Sequence, residues 1–502
     1  MTQAKTIVKD STIYTFGTVI SQVIGIATSI AMRRFLTPEM MGIWTTFLVV
    51  LNYSLFAELG IFTALEVKIP YLRGKNINDD IQKIRDTAFT FAAAISFIII
   101  LILLAASFIL KGKTPDSVVL GIRVISLIIA ATFFYNLYVV MLRADKKFFL
   151  LTKMVVFNSL VTLLFVASLT YAFKLKGIYF ATLFATAASL IYIKFSAKYS
   201  LKLYFNADLA RSLYKIGLPI FVAGLMYTVF LSVDKIMIIR MIGAKELGFY
   251  SIAILALTYT QSFPKLFSIV LFPTMQEEFG KSDSRERILS YIKKAIFIMA
   301  YALPALLILA YFGIPVLVHY ILPKYTLGID SMKILLFGCF FLSLVPLTQN
   351  FILTINKQLV LIPISILAVA CSTIINYIII KIGYGITGVA LGTSASYFIY
   401  FMVMFFYISL QCEKWRAVMA SFLRICFPLI YSLITVIVLE YFMKTGSPIM
   451  RSVLQICIFY VVYTPVLLYA ENKTNIFSKF IKRKNKKAQT ERTLFSDIHI
   501  EE

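Results

Sequence analysis

Residues 34–45 read RFLTPEMMGIWT and residues 240–251 read RMIGAKELGFYS. Each opens on an arginine, reaches a glycine eight residues later, and sets an aromatic residue two positions beyond it, at a mutual offset of 206. A second pair, Gly177-Ile178 and Gly385-Ile386, recurs at an offset of 208. Each twelve-residue motif lies between two long apolar runs, so the first reading is a duplicated unit built on membrane-spanning helices. Working outward, cuts at charge clusters and turn residues give fourteen apolar spans: 10–32, 45–69, 87–110, 118–142, 150–173, 178–196, 213–239, 248–272, 293–321, 331–355, 359–380, 385–410, 418–443 and 450–470. Spans one to six and seven to twelve then correspond, with two appended. Six is even, so both units enter the bilayer in the same sense, as parallel repeats do about an axis along the membrane normal.

Composition agrees. Of 502 residues, 60% are hydrophobic and 15% charged, against about 45–50% and about 25% in soluble domains. So few charges cannot coat several soluble cores, whereas fourteen spans of about 20 residues would occupy about 280. The expectation is an all-α polytopic membrane protein of about 14 transmembrane helices. It would have two pseudo-symmetric six-helix lobes (1–200 and 201–412) around a central cleft, two additional helices (413–470) and a basic cytoplasmic tail (471–502).

The 49 Lys and Arg against 24 Asp and Glu leave a net charge of +25. In a soluble chain that would suggest nucleic acid. Here the excess has a topological reading. Counted with the nearer membrane face, 33 basic residues fall inside, 13 outside and three (Arg123, Lys235, Lys265) within spans, if the N-terminus is cytoplasmic. That bias puts both termini in the cytoplasm and needs no nucleic-acid partner. Lys5 and Lys9 lead straight into a long first span, which does not read as a cleavable leader. The run Lys482, Arg483, Lys484, Asn485, Lys486, Lys487 reads as a solvated tail, with anionic membrane lipid as its alternative partner. Five scattered cysteines without a CxxC, and only His319 and His499, argue against a disulfide framework or a metal site.

The segment Ala31-Met32-Arg33-Arg34-Phe35-Leu36-Thr37-Pro38-Glu39-Met40-Met41-Gly42-Ile43-Trp44 resembles the stretch after the first helix of polysaccharide (O-antigen-type) flippases. Glu58-Leu59-Gly60-Ile61 is similar to their acidic-Leu-Gly element, with glutamate where aspartate is the usual residue. Ser232-Val233-Asp234-Lys235-Ile236, followed by Gly243 and Leu247-Gly248-Phe249-Tyr250-Ser251, resembles the opening of their second lobe. The superfamily is that of multidrug, oligosaccharidyl-lipid and polysaccharide exporters. The resemblance implies a flippase of the bacterial cytoplasmic membrane that moves a polyprenyl-pyrophosphate-linked oligosaccharide by alternating access. It implies ion-coupled antiport, H⁺ or Na⁺ as the coupling ion, no other cofactor and no enzymatic activity. Membrane lipids, a polysaccharide polymerase and a chain-length regulator are the further partners it implies.

An ionisable group inside a span is costly and is a functional candidate for that reason. Glu58 lies about 16 Å from the inner end of span two at 1.5 Å per residue, among Asn52, Tyr53, Ser54 and Gly60. It reads either as the coupling-ion site or as an ion pair with Arg34 or Lys265. The matching stretch of span eight, Thr258 to Lys265, is also polar and holds Pro264, so both spans carry an interruptible patch. Asp234 is the second acidic candidate, and its alternative is a structural pair with a residue other than its neighbour Lys235. For the substrate's pyrophosphate the cationic candidates are Arg33, Arg34, Arg123, Lys235, Arg240 and Lys265, because guanidinium forks match phosphate oxygens. The plain alternative for each is snorkelling to the interface.

Gly280-Lys281-Ser282 lacks the upstream glycine of a phosphate loop, Met275 standing in its place. A lipid II-type flippase is the nearest rival reading. A multidrug or cation exporter of the same fold would be expected to favour an acidic cleft. A membrane glycan polymerase would need a large outer loop, and none of the outer loops exceeds about 12 residues.

Overall fold

The computed structural model describes residues 3–74, 78–282 and 284–474; the basic run at 482–487 lies outside the described residues. Among the described residues the regular structure is helical: α1 (Gln3–Phe35), α2 (Pro38–Ser54), α3 (Ile61–Gly74), α4 (Asn78–Leu110), α5 (Asp116–Ala144), α6 (Phe148–Ala197), α7 (Ala207–Phe230), α8 (Val233–Met241), α9 (Ala244–Thr260), α10 (Ser262–Ser282), α11 (Arg285–Ile321), α12 (Ile329–Thr354), α13 (Leu361–Ile382), α14 (Gly385–Ser409), α15 (Trp415–Phe442) and α16 (Pro448–Thr474). Three short 3-10 segments, Leu55–Glu58, Pro323–Gly328 and Gln358–Val360, complete the order.

Among the described residues, eleven helices, or twelve with α7 counted across its 42° bend, are long and apolar enough to cross a membrane. The protein is a multi-pass membrane protein, and the count is lower than the fourteen expected. Two breaks separate the twelve from the fourteen, and the bend in α7 separates the eleven from the twelve. The fifty residues of α6 are not one rod, because the path reverses at Lys174 (φ 53°, ψ −125°). Phe157 stacks on Tyr192 at 4.4 Å and Ser189 donates to Asn158 at 2.9 Å, so limbs 148–173 and 175–197 run antiparallel where spans five and six were expected. Span eight is divided at Gln261 into α9 and α10.

Helix ends follow local chemistry. Thr37 caps α2, its hydroxyl accepting from the Met40 N–H at 3.3 Å, with Pro38 at the first helical position. Asn206 caps α7 through the Leu209 N–H at 2.9 Å. Gly383 (φ 94°) closes α13 in the left-handed conformation that favours glycine.

The chain divides into two compact units. The first takes residues 1–259, 317–338 and 356–400; the second takes 260–316, 339–355 and the chain from 401 onward. Lipid offers no hydrophobic drive for helix association, so close packing and polar contacts must hold helices together. In the first unit α1 lies along the first limb of α6, with Tyr14 against Phe148 and Phe35 edge-on to Tyr171. In the second, Tyr460 and Tyr463 of α16 donate to the carbonyls of Ala305 and Tyr301 on α11 at 2.8 and 3.0 Å. Asn350 of α12 donates to the Ser268 hydroxyl and carbonyl at 2.9 and 3.0 Å. Of the five cysteines, Cys339 and Cys426 are buried, Cys371 and Cys412 half-buried and Cys457 exposed, and all are free thiols.

Candidate functional site

The two motifs at 34–45 and 240–251 meet inside the first unit. α2 and α9 are both 17 residues long, and their first residues, Pro38 and Ala244, and last residues, Ser54 and Thr260, are each 206 positions apart. Their N-terminal turns pack backbone to backbone. A Cβ on Gly42 would collide with the Ala244 carbonyl, and one on Gly248 with the Pro38 carbonyl. Position 42 plus the offset is 248, and 38 plus the offset is 244, so the contact is reciprocal with the spacing of the sequence repeat.

α1 joins this contact through one stripe. Gly25, Ser29 and Arg33, spaced by four, share a face. Gly25 lies under the Tyr259 ring, Ser29 and Tyr259 exchange a hydrogen bond at 3.2 Å, and Arg33 reaches Ser251. The Arg33 side chain is buried at 4% exposure. Its Nε donates to the Ser251 hydroxyl at 3.2 Å, one terminal nitrogen to the Ser251 carbonyl at 2.8 Å, and the other to the Ser29 carbonyl at 3.0 Å. An arginine whose every nitrogen donates in this way is fixed in place.

Arg34 next to it is exposed. It donates to the carbonyl of Ile321 at 3.0 Å, and the Tyr325 hydroxyl donates to the carbonyl of Leu36 at 3.1 Å. Gly328 abuts the Phe249 backbone. The turn at 321–328 therefore clasps both motifs. Arg33, Arg34, Ile321, Leu322, Pro323 and Lys324 line one cavity of about 300 Å³. Its cationic lining comes from Arg33, Arg34 and Lys324, of which the first two are candidates by sequence.

The other cations lie elsewhere. Arg123 in α5 donates to the Ser107 hydroxyl at 3.1 Å and sits 5.2 Å from the Phe108 ring centre, both at the end of α4. Lys235 folds back to the Leu231 carbonyl. Arg240 is exposed in the last turn of α8. Lys265 is exposed on α10, in the second unit, after the buried Pro264.

Asp234 is 2% exposed. Its carboxylate accepts from the Tyr250 hydroxyl at 3.0 Å and the Lys235 backbone N–H at 2.8 Å, and lies 3.5 Å from the Lys235 ammonium. Asp234 thus has a partner other than its neighbour, namely Tyr250, and in addition an ion-pair contact with Lys235 itself, which was not expected. At the start of α8 the lysine stem turns back over the preceding residues, where side-chain direction along a helix does not separate neighbours. A carboxylate this buried needs those partners. Tyr250 belongs to the second motif at the place of Trp44 in the first, so the repeat's aromatic position is buried in both copies, at 0% and 3% exposure.

Glu58 ends the 3-10 segment that interrupts span two. Leu59 (φ 54°) and Gly60 (φ 86°) break the helix there. The Glu58 carboxylate accepts from the Phe62 N–H at 2.5 Å, capping α3. It is thus an N-terminal acceptor on a broken span, with a backbone partner in place of Arg34. The break is held from behind by Gly217 of α7: Gly60 and Gly217 touch backbone to backbone, so a Cβ on either collides with the other. Val49, Tyr53, Ala57, Ile102 and Ile236 line an open apolar cavity of about 480 Å³ beside the same break.

Several residues of consequence give little sign of themselves in the sequence. Lys324 and Tyr325 read as an ordinary loop, although Leu322-Pro323 ending an apolar run marks a turn. Asp145 is another. It accepts from Arg85 at 2.7 Å, from Tyr199 at 2.5 Å and from Arg73, joining the ends of α3, α4 and α5 to the segment just beyond α6. Burial acts to raise its pKa, but the Tyr199 and Arg73 hydrogen bonds and the Arg85 charge outweigh it and hold the carboxyl below its ordinary value.

A family model described as "Polysaccharide biosynthesis protein" matches residues 31–325. A comparison with curated proteins finds no match. Among solved structures, an inward-facing multidrug resistance MATE family transporter of the MOP superfamily aligns with a TM-score of 0.67 at 13% identity, covering 80% of this chain and 95% of its own. The lipid II flippase MurJ, in an inward closed conformation, aligns with a TM-score of 0.67 at 14% identity, covering 90% and 98%. An outward-facing MATE family transporter aligns at 0.60 and 17% identity, covering 81% and 96%. At these identities the likeness is one of fold, and it agrees with the all-helical architecture described above. The family match begins two residues before Arg33, ends at Tyr325 and takes in both motifs and the turn that clasps them: the chain belongs to the polysaccharide biosynthesis protein family, on the fold of the MOP superfamily transporters.

Proposed function

We propose that the protein is a flippase, not an enzyme, that carries a polyprenyl-pyrophosphate-linked oligosaccharide across the bacterial cytoplasmic membrane by alternating access. The observation that carries this reading is the cavity at the junction of the repeats, where Arg34 and Lys324 present charge beside the immobilised Arg33. A pyrophosphate leaving water needs its charge met, and guanidinium donors meet phosphate oxygens in pairs. The polyprenyl chain stays in lipid, which demands of the protein only apolar surface such as that around Tyr53 and Ile102. Glu58, at the break in span two, serves as the H⁺ or Na⁺ site of an antiport cycle. The glycan delivered outside then passes to a polymerase and a chain-length regulator. A drug exporter for cations has less support, because this cavity is lined by positive charge.

The test is complementation of a strain that lacks its polysaccharide flippase, with the sidedness of lipid-linked intermediates followed by an impermeant glycan label. Restored outward delivery with unchanged glycan chemistry supports the reading. Accumulation of a new glycosidic linkage, without any change in sidedness, overturns it.

A further inference from the structure

The second unit holds a cationic cavity that the transport reading does not use. Lys293, Lys294 and Phe297 of α11, Ser421, Arg424 and Ile425 of α15, and Lys473 of α16 line about 260 Å³. On each of the first two helices these residues are three and four apart, so they share a face. Three helix faces thus bring four basic side chains together. Lys293 is paired with Glu413. Lys294, Arg424 and Lys473 are exposed and, among the described residues, have no carboxylate within ion-pair distance.

Depth gives the ligand. On α11 the apolar run starts at Ala295, directly after Lys294; on α16 it ends at Ala470, directly before Glu471 and Lys473. Arg424 stands where α15 has become apolar on both sides, between Leu423 and Ile425. Lys294 and Lys473 therefore lie at the border between polar and apolar surface, the level of lipid phosphates, and Arg424, set just inside the apolar run of α15, lines the same cavity. Next to them Leu423, Phe427, Leu468 and Tyr469 are between 47% and 60% exposed, an apolar surface on which acyl chains can rest. Lys473 is steered by its own surroundings, donating to the Tyr469 hydroxyl at 3.2 Å and lying 6.0 Å from the Phe297 ring centre. Basic pockets between spanning helices at this level select anionic head groups.

We propose that this cavity binds the phosphate head group of an anionic membrane phospholipid at the end of the spans from which Thr474 emerges. In this site Arg424 grips phosphate with its fork, Lys294 and Lys473 supply charge, and the acyl chains lie along α15 and α16. Lys293, already neutralised by Glu413, frames the cavity.

The test is native mass spectrometry of the full-length protein in detergent with defined lipid added. The probes are phosphatidylglycerol, phosphatidylcholine and inorganic pyrophosphate. The variants are K294Q/R424Q/K473Q and a control at exposed lysines elsewhere, K111Q/K113Q/K381Q. Phosphatidylglycerol is expected to bind in preference to phosphatidylcholine, to weaken at least about tenfold in the first variant, and to be unchanged in the control. Equal retention by the first variant and the wild type overturns the site. Displacement by pyrophosphate at equal concentration overturns the lipid as its ligand. The substituted residues are exposed, and R424Q alone, with a matched melting curve, serves if the triple variant is poorly folded.

Discussion

Gly42 and Gly248 are each pressed against the carbonyl that begins the other's helix: Gly42 against Ala244, and Gly248 against Pro38. The contact joins two twelve-residue motifs through backbone alone, so neither position has room for a methyl group. Small residues at helix contacts let backbones approach closely in lipid, where no hydrophobic drive draws helices together.

Overpacking a close contact costs about 1–3 kcal/mol, and here the obstacle is backbone that cannot rotate away. Gly42→Ala and Gly248→Ala are each expected to lower the melting temperature in detergent and to reduce the monodisperse fraction on size exclusion. Gly280, where a Cβ would meet nothing within 4 Å, is the control: Gly280→Ala should melt as the wild type does. Equal melting of all three variants would refute the joint.

Adjacent arginines are expected to fail differently. Arg33 is buried and every nitrogen is occupied, so Arg33→Gln should lose folded protein, at a cost of about 1–3 kcal/mol for the acceptors left unpaired. Arg34→Gln removes an exposed charge from the cavity and should leave melting unchanged. Outward delivery of lipid-linked glycan should then fall by about tenfold to a hundredfold, the worth of a charged hydrogen bond. Lys324→Gln should resemble Arg34→Gln. The measurements are thermal melting and flux, and a reversal of the two patterns sinks the assignment.

Much of this is legible in the sequence because it depends on local chemistry. Apolar runs mark spans, and the 206-residue offset survives as two helices of equal length. What stays hidden depends on distant partners. Nothing in Arg33 and Arg34 as neighbours says that one is buried against Ser251 and the other meets Ile321, 287 positions away. Arg123, a cleft cation by its place in a span, rests instead on Ser107 and Phe108 at the end of a neighbouring helix. Lys324 looks like one more loop charge in the sequence, and only the turn around Tyr325 brings it beside Arg34. The cut between spans five and six brackets the reversal at Lys174, whereas the break at Gln261 divides span eight in a way that a running hydrophobicity does not register.

Glu58 separates two roles that a single alanine would merge. Its carboxylate caps α3 through Phe62, and loss of an N-terminal cap costs about 0.5–2 kcal/mol. Glu58→Gln keeps an oxygen to accept from Phe62 and removes the charge. If Glu58 carries the coupling ion, Glu58→Gln melts like the wild type yet loses the dependence of flipping on an imposed H⁺ or Na⁺ gradient in liposomes. If it is only a cap, Glu58→Gln keeps gradient-driven flipping and only Glu58→Ala is impaired, through stability.

The Asp145 cluster should give the protein an acid limit. Arg73, Arg85 and Tyr199 hold its carboxyl below the ordinary aspartate value of 3.8. A carboxyl depressed by folding stabilises the native state wherever it is ionised in both states, above the unfolded value, and that contribution is lost as pH falls through the folded value. The melting temperature of the wild type should therefore be flat across neutral pH with respect to this group and decline below about pH 4. Asp145→Asn removes the charge at every pH. Its neutral-pH melting temperature should be lower than that of the wild type, because Arg85 is left partly buried without its counter-charge, and the gap should narrow on acidification. A constant gap from pH 7 down to pH 3 would show that the carboxylate's charge does not hold these helix ends together. Arg143→Gln provides the contrast, since its ion pair with Glu66, at 3.4 Å, is partly open to solvent on both sides and such pairs contribute about 0–1 kcal/mol.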